Sequence, residues 1–98
     1  IGFAAGALIG AAGSFAGLRV LEIGCGDGRQ TFRYATEAAK VTAIDLNAEK
    51  IERARRSTPP ELASQVDFQV ASLEDFYAAW RSQPRRRRFD RVLLSWSL

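Results

Sequence analysis

The sequence predicts an α/β protein, with a mainly parallel sheet covered by helices on both faces in a three-layer sandwich. Three observations carry this. Four short β-type runs alternate with helical stretches, the pattern of consecutive βαβ units. The first run passes directly into "GCGDG", three glycines in five residues (Gly24, Gly26, Gly28), just before a helix begins. Glycine is costly in regular structure, so this turn needs bare backbone. The second run ends on Asp45, seventeen residues past Gly28, where a carboxylate can accept both hydroxyls of a ribose.

The elements follow in order. The first eighteen residues carry no charge. A membrane span or signal segment would also be charge-free, and Gly2, Gly6 and Gly10 repeat at the spacing of packed membrane helices. But Ala, Gly and Ser dominate, no basic cluster precedes the run, and Arg19 opens a strand with no linker. Residues 1–17 are therefore expected to be a covering helix, and 18–98 the core of one domain. The first strand is "RVLEI", Arg19–Ile23. A helix is expected over Arg29–Ala39, with Phe32, Ala35 and Ala39 on one face. The second strand is "VTAID", Val41–Asp45. Asn47 caps a helix over Ala48–Ser57, and Pro59-Pro60 ends it. The third strand is "VDFQV", Val66–Val70. Ser72 caps a helix over Leu73–Ser82, in which Leu73, Phe76, Tyr77 and Trp80 recur at i, i+3, i+4 and i+7. Glu74 and Asp75 sit in its first turn, near the positive end of the helix dipole. "RSQPRRRRF" reads as a loop, and "RVLLS", Arg91–Ser95, as the fourth strand.

Composition narrows the chemistry. With 98 residues the chain makes one small domain. There is no histidine, which excludes His-based nucleophile chemistry and His metal sites. With one cysteine, no internal disulfide and no structural zinc site are expected, in keeping with a reducing, cytoplasmic setting. The net charge of +3 is concentrated in Arg85–Arg88. A solvated loop is the favoured reading of that run over a phosphate-binding one, because no aromatic pair interleaves with the arginines.

Taken together, four motifs resemble class I S-adenosylmethionine-dependent methyltransferases. "VLEIGCGDG" is similar to that family's glycine-rich motif, and "AIDLN" to its ribose-binding motif. "FQVASLEDF" resembles the adenine-side motif, and "FDRVLLSWSL" the fourth-strand motif beside the methyl group. They occur in the family's order, from Leu18 to the end.

The resemblance implies a Rossmann-like sheet in the order 3-2-1-4 and S-adenosyl-L-methionine as cofactor. It implies that Gly24, Cys25 and Gly26 lie against the methionine part and that Glu22 holds this turn and its waters. Asp45 would bind the ribose, and Leu46 would pack on the adenine face. Ser72 and Leu73 would flank the adenine edge. The family often has Asp where Ser72 stands, which leaves Glu74 or Asp75 as other partners for the adenine amino group. Ser95 and Trp96 would close the fourth strand near the sulfonium. No catalytic base is assigned.

The implied activity is methyl transfer to an unidentified acceptor, expected to be a small molecule rather than nucleic acid, with no membrane partner. A cofactor-binding scaffold without turnover is the alternative. A dinucleotide-binding oxidoreductase domain fits less well, since Arg29 stands where G-x-G-x-x-G/A needs a small residue. The family's sheet has seven strands and four are signalled here. The chain is therefore expected to be the N-terminal half, truncated after strand four and inactive alone, with "RVLLSWSL" an open apolar edge.

Overall fold

In a computed structural model of the chain, residues 14–95 are described. The β-type runs form one parallel sheet of β1 (Arg19–Ile23), β2 (Lys40–Asp45), β3 (Val66–Val70) and β4 (Arg91–Leu94), in the order β3-β2-β1-β4. Ile23 pairs with both Ile44 and Leu94, and Asp45 with Val70. The carboxyl ends of all four strands therefore finish at one edge.

The helices are α1 (Arg29–Tyr34), α2 (Ala48–Ser57) and α3 (Leu73–Arg81), with a short 3-10 turn at Pro60–Leu62. The chain steps outward from β1 to β3, then returns past β1 to β4. With right-handed crossovers, that reversal puts α1 and α2 on one face and α3 on the other. The main core lies on the first face. There Val20, Val41, Ala43, Val66, Phe68 and Leu93 meet Tyr34, Ala35, Ala38, Ile51 and Ala54. Leu21 and Ile44 alternate to the opposite face and are buried there too.

Both expected caps form. Asn47 accepts the Lys50 N–H at 3.0 Å, and Ser72 accepts the Asp75 N–H at 3.0 Å. The first helix differs from expectation: it ends at Tyr34, and residues 35–39 turn back instead. The Gln65 amide takes the carbonyls of Ala35 and Ala38 at 3.2 and 3.0 Å. Its buried stripe is Thr31, Tyr34, Ala35 and Ala38, while Ala39 is exposed.

The expected covering helix over 1–17 falls largely on residues outside those described. Its final residues are not helical: Leu18 N–H donates to the Phe15 carbonyl at 3.0 Å, closing a turn. Phe15 is buried with its ring 4.7 Å from that of Tyr34. Among the described residues, no helix is long and apolar enough to cross a membrane.

The apolar stripe of α3 does not seal a core, since none of its residues is buried. Phe76 and Trp80 pack with Phe89 of the following loop, at ring distances of 6.1 and 6.4 Å. Arg85–Arg88 are all exposed, as a solvated loop requires, but the loop is also tied to aromatic rings, a contact the sequence did not indicate. The Arg86 guanidinium lies 5.2 Å from the Trp80 ring centre, and Trp80 Nε1 donates to the Arg87 carbonyl at 2.7 Å. The helix and the loop fold on each other because the loop supplies Phe89, a partner the helical spacing could not reveal. The loop still lies far from the carboxyl edge: Asp90 N–H donates to the Arg19 carbonyl, where β1 begins.

Candidate functional site

The turn after β1 is shaped by what surrounds it. Gly24 has φ +82°, and a Cβ there would collide with the Ser95 carbonyl oxygen. Only glycine permits this contact between the first turn and the end of β4. Gly24 and Cys25 N–H groups both donate to the Ile44 carbonyl, at 2.8 and 3.1 Å. The turn is thus sewn to the end of β2 on one side and pressed against β4 on the other.

Asp45 completes the seam. One carboxylate oxygen accepts the Gly26 N–H and the other the Asn47 N–H, each at 2.8 Å. Each oxygen keeps acceptor capacity beyond that bond, and the side chain is only partly buried. A carboxylate fixed at both oxygens, with lone pairs still available, is a preorganised acceptor for a pair of hydroxyls.

Between these strand ends lies a cleft of about 230 Å³ lined by Ile23, Gly24, Ile44, Asp45, Leu46, Ala71, Ser72, Leu73 and Glu74. Leu46 is 73% exposed and Leu73 43%. Two such apolar side chains beside a carboxylate suit a flat ring system joined to a diol. Of the two acidic residues weighed as partners for an adenine amino group, Glu74 lines the cleft and Asp75 does not.

The other expected site residues sit elsewhere. Cys25 and Gly26 are buried in the turn itself. Burial, then the charges of Glu22 and Asp45, push the Cys25 thiol far above its usual range. It is held as a neutral thiol and is no nucleophile. Glu22 is fully buried beneath the turn and does not line the cleft. It accepts hydrogen bonds from Thr31 Oγ1 at 2.5 Å, Tyr34 Oη at 2.7 Å and Ser95 Oγ at 2.6 Å. Ser95 is also buried, and Trp96 lies outside the described residues. The cleft therefore brings together Gly24, Asp45, Leu46, Ser72 and Leu73 of the expected set.

Thr31 and Tyr34 escaped the sequence reading. Their signal was two hydroxyl-bearing residues at i and i+3 on a stripe otherwise made of alanine. Such residues need a buried acceptor, and Glu22 is that acceptor.

Residues 20–98 match the family described as "Methyltransferase domain". Magnesium-protoporphyrin O-methyltransferase of Rhodobacter capsulatus is 39% identical over 59 residues, covering 60% of this chain and 26% of that protein. Ubiquinone biosynthesis O-methyltransferase of Xanthomonas euvesicatoria pv. vesicatoria is 46% identical over 63 residues, covering 64% of this chain and 26% of that protein. A solved SAM-dependent methyltransferase from Thiobacillus denitrificans, in complex with S-adenosyl-L-homocysteine, superposes with a TM-score of 0.58. It is 32% identical, over 68% of this chain and 28% of that one. The chain spans about a quarter of the length of these relatives.

Proposed function

This chain belongs to the methyltransferase-domain family, and from that premise we propose that it binds S-adenosyl-L-methionine in the cleft at the carboxyl edge of its sheet and serves methyl transfer to a small-molecule hydroxyl. The hydroxyl acceptor is inferred from the O-methyltransferase relatives. Residues 18–98 are the cofactor-binding part of that activity. A buried free thiol and no disulfide fit a cytoplasmic setting.

The observation that carries this reading is Asp45, held by two backbone N–H groups with lone pairs left for a ribose. The rest of the cleft fits the same molecule. Leu46 and Leu73 would grip the base, with Ser72 and Glu74 at its polar edge. Gly24 would let the amino-acid part approach the main chain closely, since nothing projects from it. Glu22 supports that turn from below rather than touching the ligand.

When bound, S-adenosyl-L-methionine supplies a methyl carbon already activated by its sulfonium. What the protein then contributes is orientation, which lowers a barrier by roughly 7–11 kcal/mol when two reactants are well aligned. Asp45 and the glycine turn fix one reactant, and the turn's contact with Ser95 fixes it relative to the end of β4. No histidine is present to serve as a base.

Calorimetry of the full chain with S-adenosyl-L-homocysteine and with NAD tests the cofactor reading. Binding of the former alone supports it, and binding of NAD alone refutes it. Turnover by the full-length gene product against a panel of phenols and other hydroxyl compounds then separates an enzyme from a non-catalytic cofactor-binding scaffold.

A further inference from the structure

Glu22 poses a physical problem that its nearness to the turn does not solve. Its side chain is excluded from solvent, and its hydrogen-bond partners are three uncharged hydroxyls. A buried carboxylate is costly, and an apolar residue of similar volume is often neutral or better for stability at such a position. What an apolar residue cannot supply is direction.

We propose that Glu22, Thr31, Tyr34 and Ser95 form a buried latch that fixes the end of β4 against the glycine turn, making Thr31 and Tyr34 positioning residues for the cofactor although neither lines the cleft. The proposal rests on the cofactor reading above. Glu22 Oε1 takes both α1 hydroxyls, and Oε2 takes Ser95. α1 thus sets the carboxylate's orientation, and the carboxylate sets Ser95. Ser95 is held at two further points. Its N–H donates to the Ile23 carbonyl at 2.8 Å, and its own carbonyl presses on Gly24. Loosening Ser95 therefore loosens the wall on which Gly24 rests. Gly24 lines the cleft, so the effect reaches the ligand without any latch hydroxyl touching it.

Two shape-conserving changes test this in the full chain: Tyr34→Phe and Thr31→Val. Thr31→Ser is the counterpart that keeps the hydroxyl and loses the methyl. The readouts are S-adenosyl-L-homocysteine affinity by calorimetry and amide exchange at Gly26 and Ser95, both well below each variant's melting midpoint. The latch predicts that Tyr34→Phe and Thr31→Val weaken affinity about 3–10-fold and speed both amides, while Thr31→Ser stays near the parent protein. It further predicts that adding Ser95→Ala to Glu22→Leu weakens affinity no further than Glu22→Leu alone, because Glu22→Leu already removes the acceptor of the Ser95 hydroxyl.

Lowered melting midpoints with unchanged affinity and exchange would make the cluster mere glue and overturn the proposal. Thr31→Ser impaired and Thr31→Val intact would do the same, since that is the signature of packing. If the parent protein fails to bind S-adenosyl-L-homocysteine, the cofactor reading falls. The exchange of Gly26 and Ser95 in Tyr34→Phe then decides the latch by itself: faster exchange upholds it as a brace of the turn, and unchanged exchange refutes it.

Discussion

Gly24→Ala is expected to damage the fold far more than Gly17→Ala, although both glycines have left-handed backbone, at φ +82° and +73°. An alanine in that region costs about 1–2 kcal/mol at either position. At Gly17 nothing lies within 4 Å of the added Cβ, so the cost stops there. At Gly24 the Cβ overlaps the Ser95 carbonyl oxygen, a backbone atom that cannot rotate away. Relief requires moving the end of β4, which gives up the Ser95 N–H bond to Ile23 and the Ser95 hydroxyl bond to Glu22. A neutral bond contributes about 1 kcal/mol and one to a charged group about 1.5–3 kcal/mol. The expected loss at Gly24 is therefore about 3–6 kcal/mol, comparable with the whole stability of many small domains. Urea denaturation of both variants in the full chain, followed by circular dichroism, measures the difference. Equal midpoints for the two variants would refute the contact between the first turn and β4.

Three further outcomes are expected. Asp45→Ala should weaken S-adenosyl-L-homocysteine binding at least about tenfold and also cost about 1–3 kcal/mol of stability in urea, because the buried Gly26 N–H loses its acceptor; unchanged values for both would remove Asp45 from the site. Burial and the Glu22 and Asp45 charges raise the Cys25 thiol, and burial with the Glu22 carboxylate raises the Tyr34 phenol. Both groups therefore ionise first in the unfolded chain, so stability present at neutral pH should fall as pH rises past about 8.5 for Cys25 and about 10 for Tyr34. Tyr34→Phe should flatten the upper part of that decline in alkaline urea melts, and an unaltered slope would contradict the assigned environment. Replacing Arg85–Arg88 with serine should leave cofactor affinity within about twofold, since exposed charges contribute little at a distance; RNA or DNA binding with a steep salt slope, lost in that variant, would make the loop functional instead.

The strands were legible because each is a short run rich in Val, Leu or Ile; Gly24 follows the first and Asp45 ends the second. The strand order was legible only through the family resemblance, since nothing local tells β4 to pair with β1. Asn47 and Ser72 were readable as caps because that chemistry is local. The early end of α1 was not, because it depends on Gln65, thirty residues from Ala35. The α3 stripe was readable as apolar, but what it packs on was not: Phe89 comes from a loop whose arginines suggested only solvent. In the site, Gly24 and Asp45 were visible as residue types at telling positions. Glu22 was readable as a residue that holds the turn, but its three hydroxyl partners were not, because they come from α1 and the end of β4. Tertiary hydrogen bonds of that kind leave little trace in a linear pattern.

The central claim is that the carboxyl edge of this sheet is a nucleoside-cofactor site organised by Asp45 and the glycine turn. Titration calorimetry of the full chain with S-adenosyl-L-homocysteine, beside the Asp45→Ala variant and with NAD as the competing ligand, tests it most directly. The account predicts saturable one-site binding of S-adenosyl-L-homocysteine, at least about tenfold weaker in the variant, and no comparable heat with NAD. Tight binding of NAD without S-adenosyl-L-homocysteine, or equal S-adenosyl-L-homocysteine affinity in parent and variant, would contradict it.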